Sequence, residues 1–386
     1  MATAITDFRK SYPVKLNFYE EYMRKLFNKA DIQINGSRPW DIQVHDSSLY
    51  ANLFKKGSLA FGESYMDGLW DCEKLDELTF RIIRANLDRE VSRDFRAILY
   101  FLKSKFLNQQ SVNKVQEVAK KHYDVGSDLF AAMLDKRMMY SCAYWDNAET
   151  LDQAQENKLE LICQKLKLLP GQRVLDIGCG WGGFAQYAAE KYKVEVVGIT
   201  ISKQQLQLAK ERCANLPVEI RLQDYRSLNE KFDRVVSIGM FEHVGYKNYF
   251  DYMQTVRNAL KDDGLFVLHT IGGNVSLTAI DPWINTYIFP NAMMPSVAQI
   301  GKSIENKFIL EDWHSLGSNY DLTLMAWMDR FKHAWSQIRE KYDERFYRMW
   351  IYYLSTCAAS FRAKRNNLWQ IVLSPPTNLK AYVSVR

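Results

Sequence analysis

A chain of 386 residues, 47% apolar and 25% charged, has the balance of a soluble globular protein and is long enough for two domains with real cores. No apolar run reaches the length of a membrane span, the opening MATAITDFRKSYPVK lacks the apolar stretch of a signal peptide, and the six cysteines (Cys72, Cys142, Cys163, Cys179, Cys213, Cys357) include no C-x-x-C pair. These features indicate neither a disulfide framework nor a zinc site, and the expectation is a cytosolic protein with reduced thiols and a modest net charge of +6. Phe18 to Ala30 reads as an amphipathic helix with Phe18, Tyr22, Leu26 and Phe27 on one face, and INGSRPWDIQVH as strand, turn, strand. A turn-rich stretch, KKGSLAFGESYMDGLWDC, precedes helical DELTFRIIRANLD. Glu63, Asp67, Asp71 and Glu73 lack calcium-loop spacing and read as surface or cap residues. The expectation is a small α+β domain over residues 1–103, a polar linker over 104–118 and a second domain over 119–386.

The second domain carries the chemistry. Asp152 to Leu168 reads as a helix with Asp152 near its cap, ended by Pro170-Gly171. Then comes VLDIGCGWGG, Val174 to Gly183, an apolar strand running into a glycine turn and a helix. Gly178, Gly180 and Gly183 allow a sharp turn and close approach of a ligand, and the glycine amides are expected to face it. A dinucleotide site would end the second strand in an acid, whereas VEVVGIT closes on Thr200. Asp176 before the first glycine makes D-x-G-x-G, which resembles the first motif of S-adenosylmethionine (SAM) methyltransferases. Beyond it read a helix to Tyr192, strand Val194 to Ile199, helix Gln204 to Cys213, and strands Val218 to Leu222 and Arg234 to Ile238. Helix Tyr249 to Leu260 and strand Leu265 to His269 follow. The alternation predicts an α/β, Rossmann-like, doubly wound parallel sheet whose ligand lies at the carboxyl ends of the strands. From Arg339 to Arg386, nine Lys and Arg stand against three acids, an excess equal to that of the whole chain. Such a segment meets an anionic membrane or a nucleic acid, or is the solvated face of a helix, and the last is preferred.

At the predicted strand ends, Asp176 can anchor an amino group, Thr200 with Gln205 can bond a ribose, and Asp224, Tyr225 and Arg226 lie where adenine is held. Tyr225 is equally a core aromatic. Glu242, His243 and His269 end apolar strands, where an acid or imidazole must be hydrogen-bonded or functional. Tyr140, Ser141 and Cys142 precede the first helix, where they can fold over a cofactor.

The segments KHYDVGSDLF, MMYSCAYW, VLDIGCGWGG, GITISKQQ, SIGMFEHVG, LHTIGG, DPWINTYIFPN, EDWHSLGSNYDLTLMAW and FRAKRNNLWQIV, with GESYMDGLW ahead of them, together resemble the bacterial cyclopropane-fatty-acyl-phospholipid synthase family. The resemblance implies SAM contacts at Tyr140, Ser141, Val174, Asp176, Gly178, Cys179, Gly180, Trp181, Gly182, Thr200, Ile201, Ser202, Gln205, Tyr225 and Arg226. It implies a bicarbonate ion held by Cys142, Glu242, His269, the backbone of Ile271, and Tyr320, which with Cys357 form the catalytic set. Cys357 is weighted lower, because methyl transfer to an alkene needs no enzyme nucleophile. The implied partners are unsaturated phospholipids in a bilayer and a second copy of the chain, not nucleic acid. The implied location is peripheral, on the inner face of the cytoplasmic membrane, with the first domain docking on lipid.

The implied chemistry is methylene transfer to a cis double bond by methyl transfer, a carbocation and loss of a proton. Trp145, Tyr246, Tyr320 and Phe361 are the aromatic candidates to face the cation, and bicarbonate, or Glu242 itself, is the base. Two other classes compete: a methyltransferase acting on a small molecule or nucleic acid, and a non-catalytic lipid-binding protein of the same fold. The apolar DPWINTYIFP and AMMPSV stretches argue against the first, and the presence of Glu242 and His269 against the second.

Overall fold

The computed structural model describes residues 12–87 and 126–386, with side chains from residue 18 onward, so the expected linker over 104–118 lies outside the described residues. In the first module, α1 (Tyr12–Asn28) turns Met23, Leu26 and Phe27 inward. It packs on α2 (Ser48–Lys56), which packs in turn on α3 (Ser58–Met66), and α4 (Leu75–Arg84) completes the module. The expected strand pair within INGSRPWDIQVH reduces to a single bridge between Ile34 and Ile42. The buried Asp41 carboxylate accepts the Gln33 and Arg38 amides (2.8 and 3.0 Å) and ties that segment into a turn, leaving β1 (Gln43–Val44) to pair with β2 (Trp70–Asp71).

The second module is built on β3 (Arg173–Ile177), β4 (Glu195–Thr200), β5 (Val218–Leu222), β6 (Phe232–Ile238), β7 (Leu260–Gly272), β8 (Ile309–Ser315) and β9 (Asn367–Ser374). They form one sheet in the order β5-β4-β3-β6-β7-β9-β8. The first five strands of that order run parallel, as the alternation predicts, while β9 is antiparallel to both β7 and β8. The order reverses between β3 and β6, which makes their carboxyl ends the ligand position. The strands are joined or covered by α5 (Ser127–Met133), α6 (Leu151–Lys165), α7 (Gly183–Tyr192), α8 (Lys203–Arg212), α9 (Tyr249–Ala259), α10 (Pro282–Tyr287), α11 (Val297–Ile304), α12 (Gly317–Ile338) and α13 (Glu344–Arg362). Thr150 caps α6 through a reciprocal box with Gln153, and Asp152, in the first turn as expected, accepts the Lys136 amide and pairs with Arg330.

The two modules share one hydrophobic cluster, which runs from Phe27 and Trp70 through Trp283 to Trp327, Tyr353 and Phe361. Gly62 of α3 lies so close to α10 that a Cβ there would fall 2.4 Å from Trp283. Most basic residues of the carboxyl-terminal segment are exposed, as expected of a solvated face, but four of its arginines bond the first module. Arg345 meets Asp67 (2.8 Å), Arg348 meets Asp71 (2.7 Å), Arg362 meets Asp76 (2.8 Å), and Arg365 donates to the Ile83 carbonyl (3.2 Å). Two acids expected to be surface or cap residues, Asp67 and Asp71, are therefore the partners of α13, and Glu63 accepts the Tyr287 hydroxyl (3.0 Å). The segment forms a clamp because Arg345 and Arg348, three residues apart, share one side of α13, Arg362 stands at its last residue, and Arg365 follows just beyond it. Arg362 also pairs with Asp321 (2.9 Å), so Arg362→Met leaves two carboxylates without their shared cation. The expected result is a loss of about 1–3 kcal/mol of stability, read as a lower urea midpoint.

Candidate active site

A cavity of about 590 Å³ opens at the switch point, a size suited to small-molecule ligands. Tyr140, Ser141, Asp176, Gly178, Cys179, Gly180, Trp181, Thr200, Ile201, Gln205, Tyr225 and Arg226 all line it. Val174, Gly182 and Ser202 are absent from its wall: Val174 is in the sheet core, Gly182 starts α7 at φ +81°, and Ser202 caps α8. The Gly178 and Cys179 amides both donate to the Ile199 carbonyl at 3.0 Å. They stitch β3 to β4, which corrects the expectation that the glycine amides as a group face the ligand. Gly180 is different: at φ +55°, a Cβ there would meet open space.

Asp176 is buried, and its Oδ2 has no hydrogen-bond partner among the described atoms. Burial pushes its carboxyl up to about 7 against the opposing pull of the Lys158 ammonium. The Thr200 hydroxyl donates to Gln205 Oε1 at 2.8 Å. Tyr225 is both readings at once, packed edge-on against Tyr252 (5.1 Å) and facing the cavity. An unpartnered carboxylate oxygen, an uncluttered glycine and a hydroxyl–amide pair fit a ligand bearing an ammonium and ribose hydroxyls, as SAM does.

Glu242 sits on the 3₁₀ turn Phe241–His243 that follows β6. Its Oε1 accepts the Ile271 amide at 2.6 Å, its Oε2 has no partner among the described atoms, and burial pushes its pKa up to about 7. His269, in β7, is fully buried, and burial holds its pKa well below the usual range, so the ring is neutral. Gln370 Nε2 lies 3.3 Å from His269 Nδ1; a donor there assigns the ring proton to Nε2, which is unpartnered among the described atoms. Glu242, Ile271 and Tyr320 line the cavity, whereas Cys142 and His269 stand outside its lining. Cys142 Sγ donates to the Ala143 carbonyl (3.2 Å), and burial raises its pKa. Cys357 lines the cavity with its pKa pushed up to about 12 by burial, so it is a thiol at neutral pH and a poor nucleophile. Of the aromatic candidates, Tyr320 and Phe361 line the cavity with ring centroids 4.6 Å apart. Trp145 and Tyr246 do not, and Trp145 Nε1 donates to Thr323 Oγ1 (3.0 Å).

Sequence reasoning missed Lys158 and Gln155. Both are fully buried on α6: Lys158 donates to Ser141 Oγ (2.8 Å), and Gln155 donates to the Ser141 and Met139 carbonyls (2.9 and 3.3 Å), which fixes the Tyr140-Ser141 loop. Burial brings the Lys158 pKa down to about 8. The signal was present, since Lys158 falls between Ala154 and Ile162 at four-residue spacing on the apolar stripe.

The family described as mycolic acid cyclopropane synthetase matches residues 109–371. The cyclopropane-fatty-acyl-phospholipid synthase of Escherichia coli K12 is 52% identical over 350 residues, 91% of this chain and 92% of that protein. The solved structure of the cyclopropane synthase MmaA2 from Mycobacterium tuberculosis superposes with a TM-score of 0.64 at 32% identity, covering 67% of this chain and 97% of that one. The mycolic acid cyclopropane synthase CmaA1, solved with SAH and CTAB, gives 0.62 at 33% identity over the same shares. With the fold, the SAM-type cradle and this likeness over most of its length in agreement, the chain belongs to the cyclopropane synthase family of SAM-dependent methyltransferases.

Proposed function

We propose that the chain adds a methylene group from SAM to the cis double bond of unsaturated phospholipid acyl chains. The observation that carries this reading is that one cavity holds both the glycine turn with Glu242 and a long apolar wall that includes Ile271, Leu277, Ile284, Phe289 and Phe361. SAM, when bound, supplies an electrophilic methyl; Asp176, Gly180, Thr200 and Gln205 are the residues that would hold it. A double bond is a weak nucleophile, so the enclosed wall must align it and keep water out. The π electrons would form the new carbon–carbon bond as the sulfur–methyl bond breaks and its pair stays on the departing sulfur, and the acyl chain would be left cationic between faces such as those of Tyr320 and Phe361. Loss of a proton from the added methyl closes the ring. Bicarbonate would supply the base there; Glu242, Tyr320 and Ile271 line the cavity and would hold it, whereas Cys142 and His269, the other two residues of the implied set, stand outside that lining. A specific observation favours a second reading of this step: the Ile271 amide is already given to Glu242, and Glu242 titrates near neutrality, as a base does.

The same reading has the protein bind bilayers from their surface. No helix among the described residues is long and apolar enough to cross a membrane. The first module exposes Phe18 and Phe54, 58% and 48% accessible, in an aromatic group with Tyr19 and Tyr22 on helices that also carry Lys25, Lys55 and Lys56. Incubation of labelled SAM with unsaturated phospholipid vesicles should label the acyl chains as cyclopropanes. Flotation with anionic vesicles should weaken as salt rises, because lysine attraction is screened while aromatic insertion is not. Label in a soluble small molecule and none in lipid would overturn the reading. A homodimer belongs to it too, and light scattering tests that.

A further inference from the structure

We infer that Lys158 is a positioning residue for SAM, acting through Ser141 and Asp176 on the amino-acid end of the cofactor, an inference that rests on the SAM reading of the cradle. Lys158 is fully buried on α6, and its ammonium donates to Ser141 Oγ at 2.8 Å. An ammonium has no lone pair, so Ser141 Oγ accepts that bond and keeps its own proton to donate. Ser141 and Asp176 both line the cavity, whereas Lys158 stands outside its lining. The wall thus offers a charge-assisted hydroxyl donor and a carboxylate whose Oδ2 has no partner among the described atoms. These complement a carboxylate and an ammonium, the two groups of an amino acid.

The loop that carries Ser141 is held from several sides. Met138 adopts φ +57° there, a conformation that residues other than glycine rarely take. The Asp135 carboxylate accepts the Arg137 and Met139 amides on either side of it (2.9 and 2.8 Å), and Gln155 of α6 donates to the Ser141 carbonyl. Backbone strain persists where the surroundings over-determine it, commonly at ligand sites. The titratable groups that face Lys158 are Asp135 beyond α5, Cys142 of the same loop and Asp176 of β3, and the neutral His269 ring of β7 lies within its field. Those that face Asp176, besides Lys158, are Cys179, Cys213 and Tyr252, which burial keeps protonated. Lys158 is therefore the cation that draws the Asp176 carboxyl down against its burial.

The test compares, by titration calorimetry, two ligands that share the thioadenosine and differ at that end: S-adenosylhomocysteine carries the amino acid, and methylthioadenosine lacks it. Lys158→Met, of similar length and without charge, should weaken S-adenosylhomocysteine by ~10-fold or more, the worth of a hydrogen bond to a charged group. Methylthioadenosine should bind as it does to the wild type. The pH dependence gives a second readout. Wild-type affinity for S-adenosylhomocysteine should fall as the pH drops through about 7, where Asp176 gains its proton. Without the ammonium that favours the charged form, the Asp176 pKa rises, so in Lys158→Met the fall begins at a higher pH. If Lys158→Met fails to fold, Ser141→Ala keeps the lysine but removes its link to the ligand, and it too should cost S-adenosylhomocysteine ~10-fold and methylthioadenosine nothing. Equal weakening of both ligands with an unmoved pH limb, or wild-type affinity for both, in the folded variant overturns the inference and leaves the cradle assigned. Wild-type protein that binds neither ligand overturns the SAM reading itself.

Discussion

Glu242→Gln is expected to lower kcat by ~10²–10⁴-fold while SAM binding stays close to wild type. The substitution keeps the oxygen that accepts the Ile271 amide and so spares the local fold, but it removes the group that takes or relays a proton. His269→Gln should behave in the same way, because it keeps one polar contact and loses the neutral imidazole held by Gln370. The pH profile then separates the two bases. With Glu242 pushed up to about 7, a carboxylate acting as base makes kcat rise as the pH climbs through about 7, and Glu242→Gln removes that limb. If the protonated carboxyl is needed to hold an anion, the rate falls over the same interval. Wild-type turnover in decarbonated buffer should drop and recover on addition of bicarbonate if the anion is the base. Near-normal cyclopropane production by both variants, together with a rate independent of bicarbonate, would remove the base site and leave only methyl transfer.

Gly180→Val should abolish SAM binding. Its Cβ would enter open space beside the cavity, and a β-branched residue at φ +55° is strained in addition. The strain lowers stability, so affinity is to be measured on protein shown to be folded by circular dichroism. Wild-type affinity by titration calorimetry in such a protein would sink the assignment of the cradle. Gly180→Ala should fall between the two, with the same backbone conflict and a smaller intrusion.

The parallel half of the sheet was legible in the sequence because each buried strand is a short apolar run closed by a turn residue. VLDI, VVGI and RVVSI sit in β3, β4 and β6 within two residues of their expected ends. The added β8 and β9 were not, since a run such as NLWQIVLS has the same apolar character whichever way it points. The individual site residues could be named, but their partnerships depend on tertiary contacts. Nothing near Ile271 in sequence shows that its amide belongs to Glu242, and nothing near Asp67 shows that it faces Arg345. The first module gave no chemical signal, because its helices turn apolar faces inward as any ordinary core does.

The position of β9 has a consequence for how the protein is made. It lies between β7 and β8, with Gln370 opposite His269 on one side and Ile371 opposite Trp313 on the other. A nascent chain carrying every residue up to α13 therefore still has two strands with bare facing edges, and it can close them only once β9 has been made. The His269 ring is fixed by the same event, since Gln370 arrives on that strand. A chain stopped just short of residue 367 would keep the glycine turn and β3 to β6 but lack an oriented imidazole, and it would expose sticky strand edges to other chains. The orientation of the buried imidazole is thus a late event in folding, tied to the docking of β9.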